Sequence, residues 1–408
     1  MIDGIGIQVE LKDFPRWRLR MPFDIHTPVN TDTGTIKSKQ KKDNSINGKK
    51  VESNYEIIKH TGKYQTYEIV INEVIRTNRQ PKYYLKINGS LHKNKFNGAN
   101  YERFYHSDVI NEIEQLCTTL EIDSTRAKIE NMEFGVNIKV DFIPHSFLSE
   151  YLIRYKHLQF NQYAPDKRNR RLGYECVLTQ YSVKCYDKGL QFDLSYNLMR
   201  FELRFKKMQK ILPYGIYSLH DLTKPDIVNS LKVLLLDAWN EVILYEPLEI
   251  GNMELTKLQK ELIQCANNPK YWTLLHKTNK TQYYYNRDVF KELIRDYGNG
   301  CHSKIMAQIG REWQYLLNPK FYEFTIKIKG KLVESDTKPN QRFCISCSKD
   351  ITHQKDNSKF CSPKYVGVVE AHRCRNTDSN KRNNLKNKIQ RIYSRGVLFE
   401  IEPFMIRI

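Results

Sequence analysis

Hydrophobic and polar residues alternate along much of the first two hundred positions. Ile5, Ile7, Val9 and Leu11 are separated by polar neighbours, the period of two expected of a half-buried strand. Further strands are predicted over 67–75 and 83–91. Within 131–139, Met132, Phe134, Val136 and Ile138 share one face and leave Glu133, Gly135 and Asn137 on the other. Within 181–188, Val183 and Cys185 oppose Ser182, Lys184, Tyr186 and Lys188. Within 198–206, Met199, Phe201, Leu203 and Phe205 oppose Arg200, Glu202, Arg204 and Lys206. Within 84–92, Leu85, Ile87 and Leu91 oppose Lys86, Asn88, Ser90 and His92.

Helical spacing replaces this alternation elsewhere. Val109, Ile110, Ile113, Leu116 and Cys117 predict a helix over 107–120 with Ser107 as N-cap. A second helix is predicted over 226–245, ended by Glu246-Pro247, and helical patterns dominate 255–317. There, Tyr297-Gly298-Asn299-Gly300 separates two apolar runs, which fits a DNA-reading helix pair or ordinary helical packing. The lysine-rich stretch 27–53, with Asn47-Gly48 inside it, reads as a loop, either solvated or touching nucleic acid. The fold class expected is α+β: an antiparallel-sheet domain over 1–250, a helical region over 251–335 and a basic C-terminal module over 336–408.

Charge narrows the function. The 66 Lys+Arg against 46 Asp+Glu give a net +20, which fits a polyanionic partner and disfavours a metabolic enzyme for a small neutral substrate. The 26 Tyr and 18 Phe include candidates for stacking on unpaired bases, although most belong to cores and strands. The N-terminus lacks the pattern of a secretory signal, the most apolar stretch is broken by charges, and cysteine usage fits a reducing cytosol. A cytoplasmic protein without a membrane partner is expected.

If the strands share a sheet, its polar face collects the parts for metal-assisted phosphoryl transfer. Glu133 and Glu202, with Asn137 or His92, are hard ligands for Mg²⁺ or Mn²⁺. Tyr186 is placed to attack a phosphate, with Lys184 or Lys188 offsetting the developing charge. Tyr181, Tyr174 and Tyr101 are the alternative nucleophiles. The same alternation also suits a solvated sheet face whose Arg200, Glu202 and Arg204 form cross-strand pairs. Near the C-terminus, Cys344-x2-Cys347 with Cys361 and Cys374 approaches a structural Zn²⁺ spacing, with His372 as the competing fourth ligand. Arg373 and Arg375 beside it, and Arg200 and Arg204 on the sheet, are candidate DNA contacts.

Several of these segments occur in a recognisable order: Met1-Ile2-Asp3, Gly89-Ser90-Leu91-His92-Lys93, Glu133-Phe134-Gly135-Val136-Asn137, Tyr186-Asp187-Lys188 and Leu198-Met199-Arg200-Phe201-Glu202-Leu203-Arg204, followed by Leu219-His220-Asp221-Leu222. In this order they resemble the replication initiator endonuclease of filamentous phages and the related replication proteins of bacterial phages and plasmids. The resemblance covers about residues 1–245. It implies rolling-circle initiation, in which one strand is nicked at a supercoiled origin, a 3′-OH is left for a polymerase, and the strand is later rejoined. It also implies an α+β nuclease domain, a tyrosine that holds the cut end, origin DNA in double- and single-stranded form, and a bacterial host's helicase and polymerase as partners. The pair of histidines separated by one hydrophobic residue, common among rolling-circle nucleases, is absent here; Glu133-Phe134-Gly135 would take its place. The rival expectation is a non-catalytic, zinc-containing DNA-binding regulator of replication.

Overall fold

A computed structural model describes residues 1–29, 35–43, 53–163, 168–249 and 254–319, and in the C-terminal part residues 344, 351, 354, 360–372, 374 and 376. The chain divides into two compact units, Met1–Phe324 and Thr325–Ile408. The strands of the first are β1 (Ile2–Leu11), β2 (Ile25–His26), β3 (Ser38–Asp43), β4 (Ser53–Tyr64), β5 (Tyr67–Arg76), β6 (Lys82–Ser90), β7 (Lys128–Lys139), β8 (Leu152–Tyr155), β9 (Leu158–Gln159), β10 (Asn161–Gln162), β11 (Gly173–Val177), β12 (Tyr181–Asp187), β13 (Leu198–Phe205) and β14 (Val242–Leu244). Its α-helices are α1 (Phe14–Arg20), α2 (Leu91–Lys95), α3 (His106–Leu120), α4 (Pro144–Tyr151), α5 (Lys188–Phe192), α6 (Pro225–Asn240), α7 (Lys257–Cys265), α8 (Pro269–Thr278), α9 (Lys280–Tyr297) and α10 (Cys301–Leu317).

Eleven of the described strands form one antiparallel sheet, ordered β10-β11-β12-β13-β7-β1-β6-β5-β4-β2, with β3 also paired to β4. The mixed α+β architecture expected from the sequence is present. β1, the first strand in the chain, lies between β7 and β6 near the middle of the sheet. Alternation then assigns each face. Phe134, Phe201 and their neighbours point to one side, where Phe201 meets Trp239 of α6 (centroids 5.1 Å) and Phe134 meets Trp313 of α10 (6.0 Å). α1 closes the same side farther along, with Phe14 5.0 Å from both Tyr83 and His60. A smaller core joins Ile153 and Ile243 to Leu262, Trp272, Tyr283 and Phe290 of α7–α9. It is covered in part by the three-stranded sheet β14-β8-β9.

Three expectations are corrected, and one left open is described. Part of the lysine-rich stretch is not a loop, because β3 zips onto β4 from Ser38↔Ile58 to Asp43↔Ser53. Lysine suits a strand of this kind, since charge guards an exposed edge against further pairing; residues 30–34 and 44–52 lie outside the described residues. The helix expected over 226–245 stops at Asn240, and Val242-Ile243-Leu244 becomes β14 on β8. An apolar run reads equally as buried helix or buried strand, and β-branched residues favour the latter. α3 begins at His106, with the Tyr105 N–H bonded to Asp108 (2.8 Å), so Ser107 is inside the helix. The helices flanking Gly298 pack in cores: Phe290 and Leu293 of α9 in one, Ile305, Ile309 and Trp313 of α10 in the other. No helix among the described residues is long and apolar enough to cross a membrane.

Candidate active site

The other face of the sheet carries the charges. Register sets three cross-strand rows over β12, β13 and β7: Ser182–Arg204–Glu133, Lys184–Glu202–Gly135 and Tyr186–Arg200–Asn137. β1 adds a fourth member by an irregularity. Ile2 pairs with Phe134 and Ile5 with Met132, so Asp3 and Gly4 together stand opposite Glu133. Such a bulge re-aims one side chain, and Asp3 leaves the parity of Ile5 and Ile7 to join the polar face. Carboxylate oxygens of Asp3, Glu133 and Glu202 lie within 4.8 Å of one another. They line a cavity of about 780 Å³ together with Tyr186, Lys188 and Arg204.

Arg200 organises the group from beneath. Its guanidinium is 1% exposed and donates to Glu202 Oε2, to Asn137 Oδ1 (3.0 Å) and to Asp3 Oδ2 (3.0 Å). Burial works against its charge, but Glu202 and Asp3 outweigh this and hold it protonated. Asn100 Nδ2 donates to the same Asp3 oxygen (2.7 Å), and Ser90 Oγ to the other. Asn137 spends its amide on Arg200 and on the carbonyls of Asn100 and Tyr101 (3.2 and 3.1 Å). Lys184 Nζ bridges Glu202 (2.9 Å) and Glu133 (3.3 Å). Tyr186 donates to Glu202 Oε2 (3.3 Å), and Lys188 Nζ approaches the Tyr186 hydroxyl (3.4 Å) while donating to Asn100 Oδ1 (2.6 Å).

Proton affinities diverge accordingly. Burial pushes Glu133 up to about 7, with help from Glu202. Burial also raises Glu202, but Arg200 and Lys184 overcome it and keep that carboxyl below its ordinary range. Asp3 is held well below its ordinary range against burial, chiefly by Arg200. Burial and Arg200 bring Lys188 down to about 7. Burial and Glu202 lift the Tyr186 phenol far above its usual range.

Glu133, Glu202, Lys184, Tyr186 and Lys188 therefore meet at one place, whereas three candidates do not take the roles expected of them. His92 is not on the strand face, because β6 ends at Ser90 and His92 enters α2. Its ring stacks on Phe104 (4.8 Å, 10°), neither nitrogen has a hydrogen-bond partner among the described residues, and burial lowers it to about 2. It does not join the three carboxylates. Asn137 is a support for Arg200 with its amide already engaged. Arg200 is too buried to touch DNA, in contrast to Arg204, whose side chain is 56% exposed at 3.9 Å from Glu133. Among the alternative tyrosines, Tyr181 faces the core, its hydroxyl 2.9 Å from that of Tyr155. Asp3, Asn100 and Tyr163 were not anticipated. Tyr163 lines the cavity with its ring 5.6 Å from Tyr186 and a buried hydroxyl lacking a partner among the described residues. For Asp3 a signal existed: an acid on the apolar parity of a core strand.

In the C-terminal unit, Cys344, Cys361 and Cys374 are buried, with sulfurs within 4.8 Å of one another. His372 is exposed and outside this group, which favours Cys374. Cys347, Arg373 and Arg375 lie outside the described residues.

No protein-family model matches the chain, and no curated protein matches it. A solved structure similar to it is that of a rolling circle replication initiator protein from Geobacillus stearothermophilus, 9% identical, covering 66% of this chain and 96% of that one at a TM-score of 0.30. So loose a likeness assigns neither a site nor a chemistry to these residues.

Proposed function

We propose that the chain is a rolling-circle DNA replication initiator: an origin-specific, metal-dependent endonuclease that nicks one strand through Tyr186 and rejoins it. The observation that carries this reading is the Tyr186 hydroxyl set 3.3 Å from Glu202, beside two further carboxylates, in an open cavity of a chain with net charge +20. Asp3, Glu133 and Glu202 offer the hard oxygen donors that suit Mg²⁺ or Mn²⁺. Bound there, the cation would polarise the scissile phosphate.

The chain's own groups supply the rest. Lys188, brought close to neutrality, takes the phenol proton from Tyr186 Oη as that oxygen attacks phosphorus. The P–O bond to the leaving sugar breaks, its oxygen takes a proton from the protonated Lys188 or from water to become a hydroxyl end, and the phosphate stays on Tyr186. Reversal of the same step rejoins the strand without a nucleotide cofactor. Lys184, engaged with Glu133 and Glu202, would be released to offset charge on the phosphate if those carboxylates held the cation. Arg200 holds Asp3 and Glu202 in position throughout. Arg204 at the rim contacts the DNA backbone. In the C-terminal unit, Cys344, Cys361 and Cys374 would hold a structural Zn²⁺, with Cys347 as the fourth ligand expected from the sequence.

One observation favours the rival, a non-catalytic DNA-binding regulator: Lys184 already bridges two of the carboxylates, so the network is satisfied without a cation. Incubation with a supercoiled plasmid bearing the native origin separates the two. An initiator converts it to a nicked circle with Mg²⁺; a regulator only retards its migration.

A further inference from the structure

The polar face of the sheet continues beyond the carboxylates. From β7 across β1 to β6, β5 and β4, it opens into a second concavity of about 680 Å³. Asn88 lines both cavities, so the two adjoin. Between them β1 carries Gly4 and Gly6, and the Asn131 and Asn88 side chains lie over the backbone of Gly6. There the amides of Asn131 and Asn88 meet at 3.4 Å, and a Cβ on Gly6 would lie 1.9 Å from Asn131 Nδ2. Three strand spacings of about 4.8 Å each separate β1 from β4, a path of roughly 14 Å.

This face is not an ordinary water-facing one. Antiparallel sheets turn polar residues outward, yet Ile57, Val70 and Val74 form a half-buried aliphatic floor here. Tyr55 on β4 and Tyr84 on β6 flank that floor. All of the lining residues come from β1, β4, β5, β6 and the β5–β6 turn, so no described helix closes the trough. Cations edge it. Lys82 and Lys86 are matched by Glu10 and Glu130. Lys59 and Arg79 are exposed at the rim, Arg76 lies 5.5 Å from the Tyr55 ring centre, and Lys39 is placed on this face by its pairing with Ile57.

Flat apolar floor, two rings and a cationic margin are the parts of a single-strand groove, in which bases stack and phosphates meet charge. A duplex keeps its base faces stacked inside and would leave the floor and rings unused. We infer that this trough binds single-stranded DNA and leads it to Tyr186, with bases against Tyr55 and Tyr84 and phosphates on Lys59 and Arg79. The inference deepens the initiator reading and rests on it for the choice of DNA.

The test uses the full chain and a fluorescent oligothymidine strand, followed by anisotropy over a salt series. Tyr84→Ala should weaken binding about tenfold, the loss of one stacked base. Lys59→Gln with Arg79→Gln should lower the slope of log affinity on log salt by about 1.4, two phosphate contacts on a single strand. Ultraviolet cross-linking of the wild-type complex should label peptides within residues 55–88, a readout independent of any variant's folding. Wild-type affinity and slope in the variants, or labelling elsewhere, overturns the trough. So does a duplex bound equally well and weakened equally, or an oligouridine strand bound more tightly than the DNA. Plasmid nicking is scored separately on the same preparations. Nicking by the wild type with an inert trough removes this inference alone, whereas intact trough binding without nicking removes the initiator reading alone.

Discussion

At the scale of single residues, the site is a contest between burial and charge. Among the described residues, Tyr186 makes two weak contacts through its hydroxyl. Tyr186→Phe should therefore cost about 1 kcal/mol in stability, while nicking of origin DNA falls by a factor on the order of 10³ or more and no protein–DNA adduct forms. Normal nicking by this variant would move the nucleophile, with Tyr163 as the next tyrosine to change. Glu202→Gln should abolish nicking while leaving single-strand affinity nearly unchanged, and Asp3→Asn should behave likewise; electrophoretic retardation beside the nicking assay reads both. Acidity gives a third expectation. Because Glu133 keeps its proton up to about pH 7, a cation must displace that proton below this value. Mn²⁺ affinity should then rise about tenfold per pH unit up to about 7 and level off above it, as one released proton requires. Titration calorimetry across this range checks it, and Glu133→Gln should flatten the profile. Periodicity placed Glu133, Glu202, Lys184 and Tyr186 on one face because β7, β12 and β13 keep strict alternation there. It could not place Asp3, whose side depends on a bulge, nor show that Lys188 reaches back to Tyr186 from the first turn of α5.

At the scale of elements, close approach matters more than propensity. Gly135 sits in the row between Glu202 and β1, where a Cβ would lie 2.3 Å from the Phe201 carbonyl oxygen and 2.6 Å from Glu202 Cβ. Gly135→Ala should cost about 1–3 kcal/mol through this overpacking and shift Glu202 away from Asp3. A lower melting temperature together with lost nicking is the expected pair of results; an unchanged melt would show that β13 can yield. The strands legible in the sequence were those with one apolar and one polar face. β3 was hidden because lysines on an edge look like a loop, and β14 because three apolar residues continue a helical pattern. His92 was misplaced by the opposite error: the alternation of β6 runs on in the sequence, but the chain turns into α2 after Ser90, whose hydroxyl accepts from the Lys93 N–H (3.0 Å).

At the scale of the whole molecule, the proposed function gives the two compact units different metals, Mg²⁺ or Mn²⁺ at the carboxylates and Zn²⁺ at the cysteines. Cys361→Ala should strip zinc from the purified protein and unfold the C-terminal unit alone, because a structural ion supplies folding energy directly. Metal analysis with limited proteolysis reads this, and a zinc-free wild type would end the assignment. The sheet unit depends instead on sequence-distant pairing. Asp3 lies on β1, Glu133 on β7 and Glu202 on β13, yet their oxygens come within 4.8 Å. Contacts this remote in sequence form slowly and late. During synthesis at about 5–20 residues per second, β13 follows β1 from the ribosome by roughly 10–40 s. Throughout that interval the growing polypeptide already carries β1 and β4–β6, the strands that line the inferred trough, but has not yet brought Asp3, Glu133 and Glu202 together. On the proposed function, a stalled or truncated product would inherit the same condition, able to hold DNA and unable to break it.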